Sequence, residues 1–441
     1  MKKSLRYLAT AAVLAAAPLA SCNDKLNIEP INSVDATKAL QTSDDVRAAL
    51  VGSYDAMSGN QLYGGYIQFI AELLGNTGEI DFVGTFTQPR DFITKDIVVD
   101  NSFAAGVWLS SYRTINNTNN VLANTSKVIA VQQGRVEGEA KFIRSAMYFE
   151  LVRLYARSWN DGNPQTNPGV PLVLTPTTTI SPASQVKRNT VAEVYAQVIT
   201  DLIDAEAKLP VSNGFFANKG AAGAMLARVY LQQGRYAEAA AAANRVIASN
   251  RFPLVASVFD EFGALTNTSE DIFAVQITVQ DGLNDLNTYY SSSQRQDIEV
   301  SDAFIGLYGA TDDRGELFDD VFTTKFDNQY GNIKVIRSAE MYLIRAEANL
   351  RAGTTVGATP LADINRVRNR AGATPLAAVT IDNVLFERRL ELAFEGFRIH
   401  DLRRLGRPVG TLPFNSPKLI LPIPQRERDV NPNLEQNEAY R

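Results

Sequence analysis

The sequence predicts an all-α protein of helical hairpins laid one against the next, with long irregular loop insertions between them and minor β-hairpins in those insertions. Three observations carry this. Between Gly220 and Asn250, Met225, Leu226, Val229 and Tyr230 mark one helical stripe and Ala239, Ala243, Val246 and Ile247 mark another, joined through Gln232-Gln233-Gly234-Arg235-Tyr236. Looser copies of the same unit recur on both sides of it. Between the copies, three long stretches read as irregular.

Taken in order, the first unit spans about residues 43–131 and pairs Ser43–Met57 with Ala104–Val131. The second, 136–210, places Phe142, Ala146, Phe149, Val152 and Leu154 on one helix. Its partner carries Val191, Val194, Val198, Leu202, Ala205 and Leu209 and is stopped by Pro210. The third, 219–250, is the clearest: its small residues at the helix crossing and its Gly-x-Tyr corner reproduce the tetratricopeptide pattern. Such a hairpin buries its apolar face only by stacking on neighbours. The fourth, 337–372, runs from Ser338 to Gly353 and from Leu361 to Ala371. A generic helical bundle is the competing reading, and the regular central hairpin argues against it. The insertions cover about 59–101, 158–189 and 251–333, and in the last of them Ile272–Val279 alternates enough to predict a strand or hairpin. Long loops on a rigid scaffold are where function concentrates.

The amino terminus carries an address. Lys2, Lys3 and Arg6 precede an Ala-, Leu- and Val-rich run from Tyr7 to Leu19, and Leu19-Ala20-Ser21-Cys22 then fits a bacterial lipobox. Residues 1–21 are therefore expected to be a cleaved signal, with Cys22 acylated and residues 22–441 forming a single domain. A buried free cysteine in a cytosolic protein would not require that upstream pattern. Cys22 is the only cysteine, so disulfides are excluded, and no second apolar run is long enough to span a bilayer. Loss of the signal takes the formal net charge from −5 to about −8, which argues against a nucleic-acid partner.

The carboxyl-terminal third resembles the SusD/RagB family. Glu387-Arg388-Arg389, Phe394-Glu395-Gly396-Phe397-Arg398 and Asp401-Leu402-Arg403-Arg404 look like that family's helix signatures, and Pro422-Ile423-Pro424 with Asn431-Pro432-Asn433-Leu434 and Gln436-Asn437 like its closing segments. Thr311-Asp312-Asp313-Arg314, Gly169-Val170-Pro171-Leu172-Val173 and Trp108 with Tyr112, Ile115 and Asn119 extend the likeness upstream, so it covers essentially the whole mature chain. The resemblance implies a lipoprotein of the outer membrane, exposed at the cell surface and anchored through Cys22. It would bind an oligosaccharide, or in some branches a peptide, and act as lid for a SusC-like TonB-dependent transporter barrel. It implies no chemistry of the protein's own and no cofactor. The chain is similar to the shorter members, which trims the loops that build a ligand site.

The residues agree with a binding role. Glu387, Glu391 and Glu395 recur at four-residue spacing, as a glycosidase pair would on one helix face. The expectation here is structural, an amphipathic helix with Phe386, Leu390, Phe394 and Phe397 on its apolar stripe and Arg388, Arg389 and Arg398 neutralising the acids. His400, the only histidine, has no nucleophile context and no second histidine for a metal. Asp281–Asn287 is oxygen-rich but lacks the order of a calcium loop, and Asp312–Gly315 predicts a tight turn pinned by an internal ion pair. No catalytic or metal-binding residue is therefore assigned. A ligand needs aromatic faces and polar clamps on loops. By the family's layout these are expected at Asp81, Phe86, Arg90 and Asn101 with Tyr289 and Tyr290, and Trp108 is expected in the core. The alternatives are a tetratricopeptide scaffold for protein assembly, against which the long insertions count, and a secreted glycoside hydrolase, which would alternate strands with helices.

Overall fold

Helical periodicity dominates the chain, and the computed structural model, which describes residues 39–179, 181–282 and 284–441, is helical through most of its length. Cys22 and the signal segment lie outside the described residues. Residues Thr42–Arg441 form one compact unit. Its helices are α1 (Ser43–Ser58), α2 (Tyr66–Gly75), α3 (Thr87–Thr94), α4 (Ser102–Ala123), α5 (Ala130–Tyr155), α6 (Val191–Lys208), α7 (Lys219–Gln232) and α8 (Tyr236–Ala248). They continue as α9 (Val258–Phe262), α10 (Asp285–Tyr290), α11 (Asp302–Ile305), α12 (Ser338–Ala352), α13 (Pro360–Arg370), α14 (Ile381–Glu391), α15 (Arg398–Arg404) and α16 (Gln425–Val430). The body is a succession in which α1, α4, α5, α6, α7, α8, α12 and α13 each pack on the next.

Local chemistry sets the ends of these helices. Thr42 and Asp45 form a reciprocal capping box at α1, Thr190 and Glu193 do so at α6, and Thr380 and Asn383 at α14. Gly234, at φ +69°, makes the corner between α7 and α8, and Gly353, at φ +66°, ends α12. In α1 the exposed Gly52 has open space where a Cβ would sit. Gly52→Ala should therefore raise stability by about 0.5–1 kcal/mol in urea melts, because the backbone entropy cost of a mid-helix glycine is removed without a clash.

Buried ion pairs tie neighbouring helices together. The Arg144 guanidinium donates to both carboxylate oxygens of Asp201 at 2.8 and 2.9 Å, joining α5 to α6. The Arg228 guanidinium donates to Glu340 at 2.8 and 2.6 Å and to the Val335 carbonyl at 2.7 Å, joining α7 to α12 and the strand before it. Leu343, Ala346, Ile364, Val367, Val384, Leu392 and Phe397 form a core cluster across α12, α13, α14 and the turn between α14 and α15. Burying each of its larger side chains contributes about 1.5–3 kcal/mol.

The insertions are more ordered than expected. Residues 59–101 hold α2, α3 and a strand. In α2 nine of ten residues are buried, Gln68 and Glu72 among them, so its polar face as well as its apolar one packs against protein. Six short strands pair two by two: β1 (Ile80–Phe82) with β3 (Ile298–Val300), β2 (Asp271–Val275) with β6 (Ile333–Arg337), and β4 (Phe318–Asp319) with β5 (Phe322–Thr323). Among the described residues only β4–β5 is a local hairpin. The strand expected in 272–279 is β2, and it pairs antiparallel with β6 across the insertion, with Val275 opposite Ile333. All five residues of β2 are buried, which explains why its alternation is only partial. The tail straps the end of α5: Leu421 N donates to the Leu154 carbonyl at 2.9 Å, and the Asn437 amide donates to the Tyr155 carbonyl at 2.9 Å.

Candidate functional site at the Phe86 and Arg295 loops

The β1–β3 ladder fixes two loops side by side. Ile80, Phe82, Ile298 and Val300 alternate inward, while Asp81 and its cross-strand partner Glu299 face outward. The pairing continues past the strands, with Val83 N donating to the Asp297 carbonyl at 2.9 Å. Gly84 lies directly against the Asp297 carboxylate, where a larger residue would collide. The Gly84 carbonyl in turn accepts from Arg90 Nη2 at 3.1 Å, which holds the first loop against α3.

On this frame Arg295 bridges the loops. Its Nε donates to the buried Asp297 Oδ2 at 2.7 Å, and its guanidinium carbon sits 4.2 Å from the centre of the Phe86 ring. Phe86 is 46% exposed, so an aromatic ring braced by a cation is presented to solvent. Asp81, in β1, and Arg90, in α3, are exposed on either side of this loop. An oriented ring, guanidinium donors and carboxylate acceptors suit a hydroxyl-rich or peptide ligand, which needs one apolar face stacked and its edges hydrogen-bonded.

The structure separates the expected ligand residues into two groups. Asp81, Phe86 and Arg90 belong to this exposed face. Asn101, Tyr289 and Tyr290 do not, and their reading as ligand contacts is corrected. Asn101, 1% exposed, caps α4: its Oδ1 accepts from Phe103 N and Ala104 N at 3.1 Å each, and its amide donates to the Gln88 carbonyl and Asp91 Oδ2 at 3.0 Å each. Tyr289 stacks on Phe69 at 4.3 Å between ring centres, and Tyr290 is fully buried between Phe326 and Phe394. The cause is α10, a short helix capped by Asn284 that turns both rings into the core. Arg295 was not singled out by sequence reasoning, because its partner ring lies in a different insertion and no local pattern links them. Trp108 is buried as expected, edge-on to Tyr155.

The glutamates of the carboxyl-terminal third are structural, by a route the sequence did not show. The helix α14 ends at Glu391, so Glu395 lies beyond it; Glu387 and Glu391 are buried, and the Glu395 side chain keeps only 6% exposure. Arg314 Nη1 contacts Glu387 at 2.6 Å and Glu391 at 3.0 Å, Arg368 contacts Glu387 at 2.6 Å, and Arg337 contacts Glu391 at 3.0 Å and Glu395 at 2.8 Å. Lys325 reaches Glu395 at 2.9 Å. The arginines expected to neutralise them pair elsewhere: Arg388 with Asp401 at 2.7 Å, and Arg389 and Arg398 with Glu79 at 2.7 and 2.5 Å. Phe386, expected on the apolar stripe, is 40% exposed. Asp312 caps the turn Asp313–Glu316 and pairs with Arg314 at 2.7 Å. His400 is buried, and burial pushes its imidazole well below the usual range, with nearby arginines acting in the same sense. Among the described residues no group of three His, Cys, Asp or Glu side chains is disposed to hold a metal ion.

Solved structures define the class. A protein of Bacteroides vulgatus named for sugar binding superposes with a TM-score of 0.82 at 26% identity, covering 91% of this chain and 100% of that one. A laminarin-binding SusD-like protein shares the fold at a TM-score of 0.74 and 24% identity, over 91% of this chain and 100% of its own. The class is that of the helical SusD-like fold. Two family profiles match in succession: one described as starch-binding associating with outer membrane over residues 76–231, and the SusD family over 254–412. SusD-like protein P2 of Formosa agariphila is 25% identical over 95% of this chain and 96% of its own length. The chain belongs to the SusD/RagB family.

Proposed function

We propose that the protein captures an oligosaccharide at the cell surface and passes it to a TonB-dependent barrel, over which it sits as a lid, tethered through a lipid on Cys22. It binds and delivers; it carries out no chemistry of its own. The observation that carries the capture role is the Phe86 ring, 46% exposed and braced at 4.2 Å by Arg295, on a loop whose neighbours Asp81 and Arg90 add polar contacts. Support also comes from the family description of starch binding at the outer membrane and from the laminarin-binding relative. The buried ion pairs suit the same role, since they hold the loop-bearing insertions rigid and lower the ordering cost of binding.

Isothermal titration of the soluble chain lacking residues 1–22 against starch-derived and laminarin-derived oligosaccharides, with a peptide digest in parallel, tests this. Saturable binding of one glycan class is expected. Phe86→Ala should weaken it about tenfold, the scale of one lost stacking contact, with the unfolding midpoint unchanged because the ring is exposed. Undiminished glycan affinity in Phe86→Ala would remove this face as the site, and binding of peptides alone would replace the ligand class.

A further inference from the structure

A cavity of about 750 Å³ opens between α2, α11, α14 and α15. Ile80 of β1 lines it, while the next residue, Asp81, faces outward, and neither Phe86 nor Arg295 is among the lining residues. Its walls are mainly apolar, with Phe304, Phe386, Leu392, Phe397, Leu402 and Leu405 among them. Such a volume matches a small organic ligand.

This cavity carries an uncompensated positive charge. Arg389 and Arg398 both reach Glu79 Oε1, at 2.7 and 2.5 Å, so two guanidiniums share one carboxylate. The Nε atoms of both arginines are buried with no acceptor, and so are Nη1 and Nη2 of Arg388, a lining residue only 2% exposed. The other lining charges are matched: Arg388 pairs with Asp401 and Arg407 with Asp382. Glu72, which feels the Arg398 charge, restores the balance only in part. Its Oε1 accepts from the backbone N–H groups of Gly396, Phe397 and Arg398 at 2.7, 2.9 and 3.4 Å, and burial nonetheless pushes its carboxyl up to about 7, so near neutral pH it is only partly charged. Buried N–H donors without acceptors are rare, and guanidiniums are shaped to take a planar carboxylate.

We propose that this cavity is a second ligand site, distinct from the Phe86 face, that takes a small amphipathic monocarboxylate, its aromatic or short aliphatic body against the apolar wall and its carboxylate on the Arg389 and Arg398 guanidiniums. An excess of at most one positive charge suits a monocarboxylate, whereas a phosphate dianion would overcompensate it. The class is set by the walls, which offer rings and leucines together with guanidiniums.

The test titrates the soluble chain with 3-phenylpropanoate and octanoate, and with 3-phenylpropanamide as the uncharged match. Saturable binding of at least one acid is expected, at least tenfold tighter than the amide. Arg389→Gln should weaken the acid about tenfold. Phe386→Ala, at a wall residue already 40% exposed and so safe for folding, should weaken the acid while leaving the unfolding midpoint in place. Phe86→Ala should leave the acid's affinity unchanged. Absence of saturable binding by either acid, equal affinity for acid and amide, or indifference to Phe386→Ala in the folded protein would each overturn the proposal. So would loss of the acid in Phe86→Ala, which would make the two sites one.

Discussion

Replacing Glu391 with glutamine lowers the stability of the fold by about 3–5 kcal/mol, the usual cost of removing one partner from a buried ion network. The reason is the number of cations that depend on it. Glu391 is 1% exposed and pairs with Arg314 and Arg337 at 3.0 Å each and, more closely, with Arg370. Arg314 and Arg337 are themselves almost wholly buried, so the variant leaves their charge undercompensated away from water. The measurement is the urea midpoint at unchanged slope. A loss under about 1 kcal/mol would mean that Glu270, Glu387 and Glu395 suffice to hold these arginines. The acid limb of the stability profile should change as well. Burial pushes the Glu391 carboxyl up, but Arg370, Arg337 and Arg314, with Lys325, outweigh it and hold the carboxyl well below the usual range. Its contribution is therefore present above the unfolded carboxylate range, about pH 4.5, and is lost as pH falls below that. Glu391→Gln should flatten this part of the loss between about pH 4.5 and 2.

That network also shows where sequence reading stops. The stripe of α8 is visible because one face meets neighbours and the other is partly exposed, whereas α7 is buried at every position from Ala221 to Leu231 and is legible through the Gly234 corner that joins it to α8. Likewise α2 is buried on nearly every side, and its run Tyr-Ile-Gln-Phe-Ile-Ala-Glu-Leu-Leu-Gly, with Gln68 and Glu72 on one face, spans only ten residues inside a stretch read as irregular. Glu391 and Arg314 are 77 residues apart, and no local pattern joins them. The misassigned ligand residues did carry a signal. Asn101 precedes Ser-Phe-Ala, and Asn284 precedes Asp285 and Leu286 in the same way, an asparagine at the first turn of a short apolar run. Read as caps, they place Asn101 in a structural role and turn Tyr289 and Tyr290 into residues of a buried helix. Phe86 was legible as a loop aromatic, but Arg295 becomes its partner only once β1 and β3 pair.

Gly75→Ala should cost about 3 kcal/mol, a larger effect than a one-carbon change usually has, because α2 and α15 meet backbone to backbone at this residue. A Cβ on Gly75 would fall within contact distance of Ile399 N and 2.9 Å from the Arg398 carbonyl carbon. Neither chain is free to retreat. One turn earlier on α2, Glu72 accepts from three successive N–H groups just ahead of α15, Ile399 is fully buried, and the Arg403 guanidinium fastens the far end of α15 to the carbonyls of Arg153 and Ala156 at 3.0 and 2.8 Å. Separating the two helices therefore strains the Glu72 bonds and disturbs one wall of the cavity, while the β1–β3 ladder that presents Phe86 keeps its own hydrogen bonds. Urea melts of Gly75→Ala beside Gly52→Ala make the comparison direct: one added methyl group should destabilise at the α2–α15 contact and stabilise on the open face of α1. A loss below about 1 kcal/mol at Gly75 would show that the two helices yield to each other easily, and the buried acceptor on Glu72 would then have to follow a moving target.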